Sequence, residues 1–378
     1  MPIALYIHVP FCIKKCFYCD FTSYPVDPGA VEAYLDALSQ EINLYGADLP
    51  EGEKVLSSLF VGGGTPTCLP AKRIKEVLED VRSGFKLLPG CEVTVEANPG
   101  TVDLDGLLEL KAAGVNRLSI GVQSFQDSLL QTLGRIHSAG EAVKAVRLAR
   151  EAGFSNLNLD LIFGIPGQTI DDWRETLAIA VDLAPEHIAA YGLQIEKGTP
   201  LERAVARGEL ETCPEETELS MFLAAIDYLP THAYKHYEIS NFARPGRECI
   251  HNLVYWLNRP YLGLGPAAHS CLRNERFNNE SLLEKYLEKL SREEYPVETR
   301  VKLSGEIQMS DTMLLGLRLT GGVDLDSFYR DFGKKAEDIY RKELAGLMEM
   351  KLIELGGGFL RLTRRGLPVA NYVFRQFV

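Results

Sequence analysis

The stretch Tyr6-Ile7-His8-Val9-Pro10-Phe11-Cys12-Ile13-Lys14-Lys15-Cys16-Phe17-Tyr18-Cys19-Asp20-Phe21 places three thiols within eight positions, directly after a short apolar run. With spacings of three and two residues, Cys12, Cys16 and Cys19 share one loop that can wrap a single metal centre. Tetrahedral zinc usually takes its donors as two separated pairs, and no second Cys/His pair of suitable spacing follows nearby, so zinc would lack its fourth ligand. A [4Fe–4S] cluster on three cysteines would leave one iron open to an outside ligand. The plainer alternative is three unrelated buried thiols.

Outward from this loop, short β-rich runs alternate with amphipathic helical ones over the first two-thirds of the chain. Ala4–Val9 reads as a first strand, and Val31, Tyr34, Leu35, Leu38, Ile42 and Tyr45 then fall at helical spacing. Strand Val55–Val61 runs into Gly62-Gly63-Gly64. Helix Ala71–Phe85, strand Glu92–Ala97, helix Leu104–Ala113, strand Arg117–Val122 and helix Ala139–Ala152 follow, the last stopped by Gly153. Strand Leu157–Ile162, helix Ile170–Ala184 and strand Ile188–Ile195 complete the series. Strands alternating with helices predict a parallel sheet with right-handed crossovers. Six strands are too few for a closed eight-stranded barrel, so the expectation is an open, partial (β/α)6 barrel with ligands at the C-terminal strand ends. The cysteine loop, the triple glycine, Glu96, Gln123 and Asp160 all fall at or just beyond those ends.

The pattern then changes. Glu215–Tyr228 reads as an amphipathic helix, and Tyr237–Leu272 is rich in aromatic, Gly, Asn, Pro and His residues without clear periodicity, as an ordered connector would be. After about Arg300 come helices over Ser304–Leu319, Leu325–Asp331 and Lys334–Met350. Two short apolar runs around Gly356-Gly357-Gly358 follow, and then a last helix. Three helices and a glycine-turned hairpin have the outline of a winged helix. The expected organisation is a barrel over 1–236, a connector over 237–299 and a winged-helix-like domain over 300–378.

Composition narrows the function classes. The 378 residues carry a net charge of −12, and the segment after position 300 holds twelve Lys and Arg against ten Asp and Glu, too even a balance for a nucleic-acid footprint. The first residues run straight into an apolar strand rather than an export signal, and no run approaches the roughly 18 apolar residues that span a bilayer. Eight cysteines, three of them bunched, do not look like a secreted disulfide framework. A reducing, cytoplasmic setting is expected.

These residues carry a family resemblance. Cys12-x3-Cys16-x2-Cys19, with Tyr18 before the third cysteine, resembles the signature of the radical S-adenosylmethionine (SAM) superfamily. Tyr6–Phe11, Gly62-Gly63-Gly64-Thr65-Pro66-Thr67, Val95–Pro99, Gly121–Phe125 and Gly164–Thr169 together resemble its oxygen-independent coproporphyrinogen III oxidase branch. Two features depart from the oxidases: the further cysteine that they carry two positions after the third is Phe21 here, and His251-Asn252-Leu253-Val254-Tyr255-Trp256 is similar to the His-Asn-x-x-Tyr-Trp motif of the HemW-type haem chaperones.

The chaperone resemblance implies a [4Fe–4S] cluster on Cys12, Cys16 and Cys19, with SAM on its open iron. Gly63, Gly64 and Thr65 would lie at the methionine end of SAM, where glycine lets backbone approach a ligand. Glu96 would take the ribose hydroxyls, and Gln123 and Arg135 the carboxylate, which the guanidinium fork suits. Asp160 would be a further contact, with Tyr6 and Tyr18 stacked nearby. Taken alone, each reads as plainly as a tight turn, a solvated strand end, a surface charge or packing. His251 would ligate haem, with Tyr255 and Trp256 offering apolar faces; an isolated histidine is more often structural. Cys249 is a weaker candidate, and a buried inert thiol is its plainer role. Cys68, Cys91, Cys213 and Cys271 read as core thiols. The implied function is binding haem and handing it to acceptors such as membrane-bound respiratory-chain proteins, with room for a homodimer and without oxidase activity. The rival is radical decarboxylation of coproporphyrinogen III; radical chemistry on another substrate is a third reading.

Overall fold

A computed structural model describes residues 2–378. Its main sheet is built on β1 (Ile3–Val9), β2 (Val55–Gly63), β3 (Lys86–Ala97), β4 (Arg117–Gln123), β5 (Leu157–Phe163) and β6 (His187–Gly192), each parallel to the next. Successive strand residues point to opposite faces. The outward set Ile3, Leu5, Ile7, Val61, Val93, Val95, Leu118, Ile120, Leu159 and Leu161 joins one apolar core with α1 (Pro28–Asp48), α2 (Ala71–Gly84), α3 (Leu104–Ala112), α4 (Ala139–Glu151) and α5 (Ile170–Asp182). The inward set is polar: His8, Ser58, Glu92, Thr94, Arg117, Ser119 and Asn158 are all buried.

The helix starts explain the register of the crossovers. Asp27 caps α1 through Ala30 N with Pro28 in the first turn, while Ser138 with Glu141, and Thr169 with Asp172, form reciprocal capping boxes on α4 and α5. Gly153 stops α4 at φ +87°, where other residues are strained.

Two expectations need revision. Residues 237–272 are not an aperiodic connector beside the barrel. After β7 (Lys235–Glu238) and β8 (Asn241–Ala243), the helix α7 (Ile250–Trp256) leads to β9 (Tyr261–Leu264), a seventh parallel strand that pairs with the free side of β1 through Ala4 and Tyr261. β10 (His269–Leu272), β11 (Glu275–Asn279) and β12 (Val297–Lys302) extend that side antiparallel, and β8 and β7 extend the other beyond β6. Strands of three to five residues, such as β9 between Pro260 and Gly265, are too short to show a period. The helix expected over Lys334–Met350 is broken at Tyr340, into Ala336–Ile339 and Arg341–Glu349.

Between β11 and β12 lies α8 (Leu283–Ser291). Here a buried carboxylate ties the added strands to the barrel: Glu41 of α1 accepts from Gly265 N (2.8 Å), Asn279 Nδ2 (2.6 Å) and Tyr286 Oη (2.7 Å). Burial pushes its pKa up to about 7, against the pull of those donors. An acid whose folded pKa exceeds the unfolded one favours the fold most fully below about 4.5, and that contribution is lost as pH rises through about 7. Glu41→Gln is expected to remove a fall in stability of about 3 kcal/mol across that window, read by urea unfolding of both proteins at several pH values.

The C-terminal segment has its own core, around Met313, Leu317, Phe328, Leu347, Leu360 and Phe377. It contains α9 (Gly305–Gly316), α10 (Leu325–Phe332) and α11 (Arg341–Glu349), with a three-stranded sheet of β13 (Val323–Asp324), β15 (Phe359–Leu362) and β14 (Ile353–Gly356) in that order. It is fastened to the main sheet by Ile239 N to Arg318 O (3.1 Å), by Arg318 over the Trp256 ring (4.3 Å) and by a bidentate Arg364–Asp227 pair (2.7 and 2.9 Å). Among the described residues no helix is long and apolar enough to cross a membrane.

Candidate functional site

The cysteine loop leaves the C-terminal end of β1. Cys12 closes a two-residue strand that pairs with Tyr24–Pro25, and the loop between is pinned at its middle, where Phe17 N donates to Leu133 O (2.9 Å) and Phe17 O accepts from Leu201 N (2.8 Å). Gly134 makes that approach possible, since a Cβ there would stand 2.6 Å from the Phe17 ring. All the cysteines are free thiols; Cys68, Cys213 and Cys271, expected in the core, are half-buried. Cys12 Sγ accepts from Thr65 Oγ1 (3.6 Å) and Cys16 Sγ from Arg135 Nη1 (3.3 Å).

The donor set can be tested against the two metal centres. Among the described residues, no three His, Cys, Asp or Glu side chains converge closely enough to share one ion, as tetrahedral zinc requires. A cubane binds each thiolate on a different iron, so three cysteines on one loop can hold it without converging on a single ion. Sulfurs that already accept hydrogen bonds from Thr65 and Arg135 also suit an iron–sulfur centre. Burial raises the Cys12 thiol above its ordinary pKa and pushes Cys19 up to about 11, so loading a cluster must displace protons.

The glycine stretch that ends β2 lies against this loop. Gly64 N donates to Val9 O (2.8 Å) and Thr65 N to Phe11 O (2.7 Å); a Cβ on Gly64 would come 2.5 Å from the Phe11 carbonyl oxygen. Gly63, at φ +109°, turns under the His8 ring and donates its N–H to Glu96 Oε2 (3.1 Å). Glu96, at the end of β3, has its pKa pushed up to about 8 by burial and by the neighbouring Asp160. Asp160, on β5, accepts from Asn158 Nδ2 (2.8 Å) and Ser119 Oγ (3.0 Å), and burial raises it too.

Arg135 links the cluster loop to β4. Besides Cys16 it donates to Gly121 O (2.6 Å) and to Asn98 Oδ1, while its Nε has no partner. Gln123 sits beside it at φ +65°, a left-handed backbone in a residue other than glycine, the kind of strain held at binding sites. Tyr18 packs against Leu129, Leu133, Ile162 and Ile165. Tyr6 reaches His8 Nδ1 with its hydroxyl (3.1 Å). The structure therefore brings eleven of the expected residues to one mouth, with Cys19 carried there on the same loop.

His251 is placed differently. It is 2% exposed on α7, beneath the mouth, with Nδ1 bonded to Ser58 Oγ (3.0 Å) and Nε2 to Tyr255 Oη (2.8 Å). Burial pushes its pKa down to about 3. Neither ring nitrogen is open to an iron in this conformation. Cys249 is buried and donates to Glu92 Oε1 (3.5 Å), its thiol pushed up to about 12 by burial. Glu92 also accepts from Ile250 N (3.2 Å) and His251 N (3.1 Å), so it seats the start of α7 on the sheet. Glu92, Ser58, Ser119 and Asn158 are additional to the sequence expectations; their signal is polar residues at alternate positions of otherwise apolar strands, while Asn98 follows β3 within the Val95–Pro99 string.

The description "Radical SAM superfamily" matches residues 6–180, and "HemN C-terminal domain" matches residues 303–369. The chain is 36% identical over 376 residues to the heme chaperone HemW of Bacillus subtilis, covering 99% of each. It is 33% identical over 380 residues to the heme chaperone HemW of Lactococcus lactis, covering 100% of this chain and 97% of that one. Among solved structures, coproporphyrinogen III oxidase (HemN) from Escherichia coli, a radical SAM enzyme, superposes with a TM-score of 0.87 at 25% identity, over 100% of this chain and 90% of that one.

Proposed function

Because the chain belongs to the radical SAM superfamily and, within it, to the heme chaperones named HemW, we propose that it binds haem in the cytoplasm and delivers it to acceptor proteins, membrane-bound respiratory enzymes among them. The observation that carries this over the oxidase reading is Phe21, 62% exposed on the rim of the cysteine loop where the oxidases hold a further cysteine.

In this reading Cys12, Cys16 and Cys19 hold a [4Fe–4S] cluster. Gly63, Gly64 and Thr65 would line the methionine end of SAM, Glu96 would take its ribose hydroxyls, Arg135 and Gln123 its carboxylate, and Asp160, Tyr6 and Tyr18 would wall the site. When bound, the two cofactors supply one-electron chemistry at the sulfonium. The chain's own part is to orient: Asn98 and Gly121 O fix the Arg135 fork, and Gly63 N fixes Glu96. His251 becomes a haem ligand only if Tyr255 or Ser58 releases its ring.

Titration of anaerobically reconstituted protein with haem, beside incubation with coproporphyrinogen III, SAM and a reductant, separates the readings. Stoichiometric haem uptake without protoporphyrinogen is expected; protoporphyrinogen formation would return the chain to the oxidases.

Glu96 gives a finer test. A carboxylate must be ionised to accept two ribose hydroxyls, and at a pKa of about 8 it is mostly protonated at pH 7. SAM affinity is therefore expected to rise about tenfold between pH 7 and pH 9 and to lose that dependence in Glu96→Gln, as read by calorimetry. A flat wild-type profile together with unchanged affinity in Glu96→Gln would remove Glu96 from the site.

A further inference from the structure

An open groove of about 1020 Å³ lies where α6 (Glu215–Thr231) meets the C-terminal segment. That volume exceeds most small-molecule sites, and junctions between folded units are where such sites form. Its walls concentrate apolar surface that the fold otherwise covers: Leu219 is 42% exposed, Val369 43%, Tyr372 48% and Met350 39%. Contiguous exposed apolar side chains of this size mark a binding surface. In a chain of net charge −12, three cations stand at the same groove. Arg364 is neutralised by Asp227 of α6, which locks the two walls together. Lys351 and Arg365 have no acidic partner within salt-bridge distance among the described residues, and Glu349 is the one acid lining the groove.

An open apolar groove lined by two cations without acidic partners suits a flat apolar molecule that carries two carboxylates. Tyr372 adds an oxygen that can bind iron, as phenolates do in some haem proteins, and its hydroxyl stands 3.9 Å from Met350 Sδ. Resting on the haem-carrying function proposed above, we infer that this groove is a haem site of the chain. Leu219 and Val369 would flank the macrocycle, Lys351 and Arg365 would pair with its propionates, and the Tyr372 phenol would release its proton to solvent on binding ferric iron. The site is open in the conformation in which both nitrogens of His251 are taken, so haem can be loaded here without moving α7.

The test uses the full chain with its cluster reconstituted, titrated with haem as wild type and as Tyr372→Phe, Leu219→Glu and Arg365→Glu, all changes at exposed positions. Expected are a shifted Soret band in Tyr372→Phe and at least about tenfold weaker binding in Leu219→Glu and Arg365→Glu, with iron–sulfur content unchanged. Wild-type affinity and spectrum in all three would overturn the inference and leave the chaperone reading standing. Failure of the wild type itself to bind haem would overturn both. Binding of phosphatidylglycerol vesicles that survives saturating haem and is lost in Leu219→Glu would assign the groove to a membrane and also overturn it.

Discussion

Replacing Cys16 by serine is expected to leave anaerobically reconstituted protein with only background iron and without the broad visible absorbance of iron–thiolate centres. Three sulfurs are the minimum that hold a cubane with one open iron, and Cys16 is the one fastened to Arg135, so its loss removes both a ligand and the tie between the loop and β4. Because Phe17 remains clamped between Leu133 and Leu201, the chain itself is expected to fold, and circular dichroism should overlay that of the wild type. Full iron content in this variant would remove the cluster assignment and with it the SAM site.

The second large effect is expected from Gly64→Ala. The added Cβ would meet a backbone carbonyl, that of Phe11, at 2.5 Å, and the backbone on both sides is held by Gly64 N to Val9 O and Thr65 N to Phe11 O. No side chain can rotate away to make room. Relief must come from moving the strand that carries Cys12, at a cost of about 3 kcal/mol in stability. SAM affinity and cluster occupancy are expected to fall together, measured by calorimetry and iron assay after chemical denaturation has established the stability loss. Unchanged stability would mean that the two backbones are not held as close as they stand here.

Much of this site was legible before any coordinates. β1 to β6 could be placed because each runs six residues or more and alternates with an amphipathic helix, and five strings ending those strands carried the family resemblance. The mouth followed, since parallel strands put their C-terminal ends at one rim. What stayed hidden lies where short segments meet across long sequence separations. β9 has four residues, and nothing in them says that they pair with β1 rather than with a neighbour. His251 and Tyr255 could be picked out in one motif, but the second partner Ser58 could not, because a hydrogen bond between residues 193 positions apart leaves no trace in local spacing. The groove beside Tyr372 was equally invisible, being made by α6, the end of α11 and the C-terminal turns, which meet only in the folded chain.

The division of the parallel strands into an apolar outward face and a polar inward one has a further consequence. Packing against the helices consumes the strand side chains at one parity, and the polar strand residues beneath the mouth sit at the other. Inherited variation at the inner positions can therefore retune or abandon a reaction while the shell that holds the molecule together stays as it was. A scaffold so divided can pass from converting a tetrapyrrole to carrying one while its apolar shell is kept.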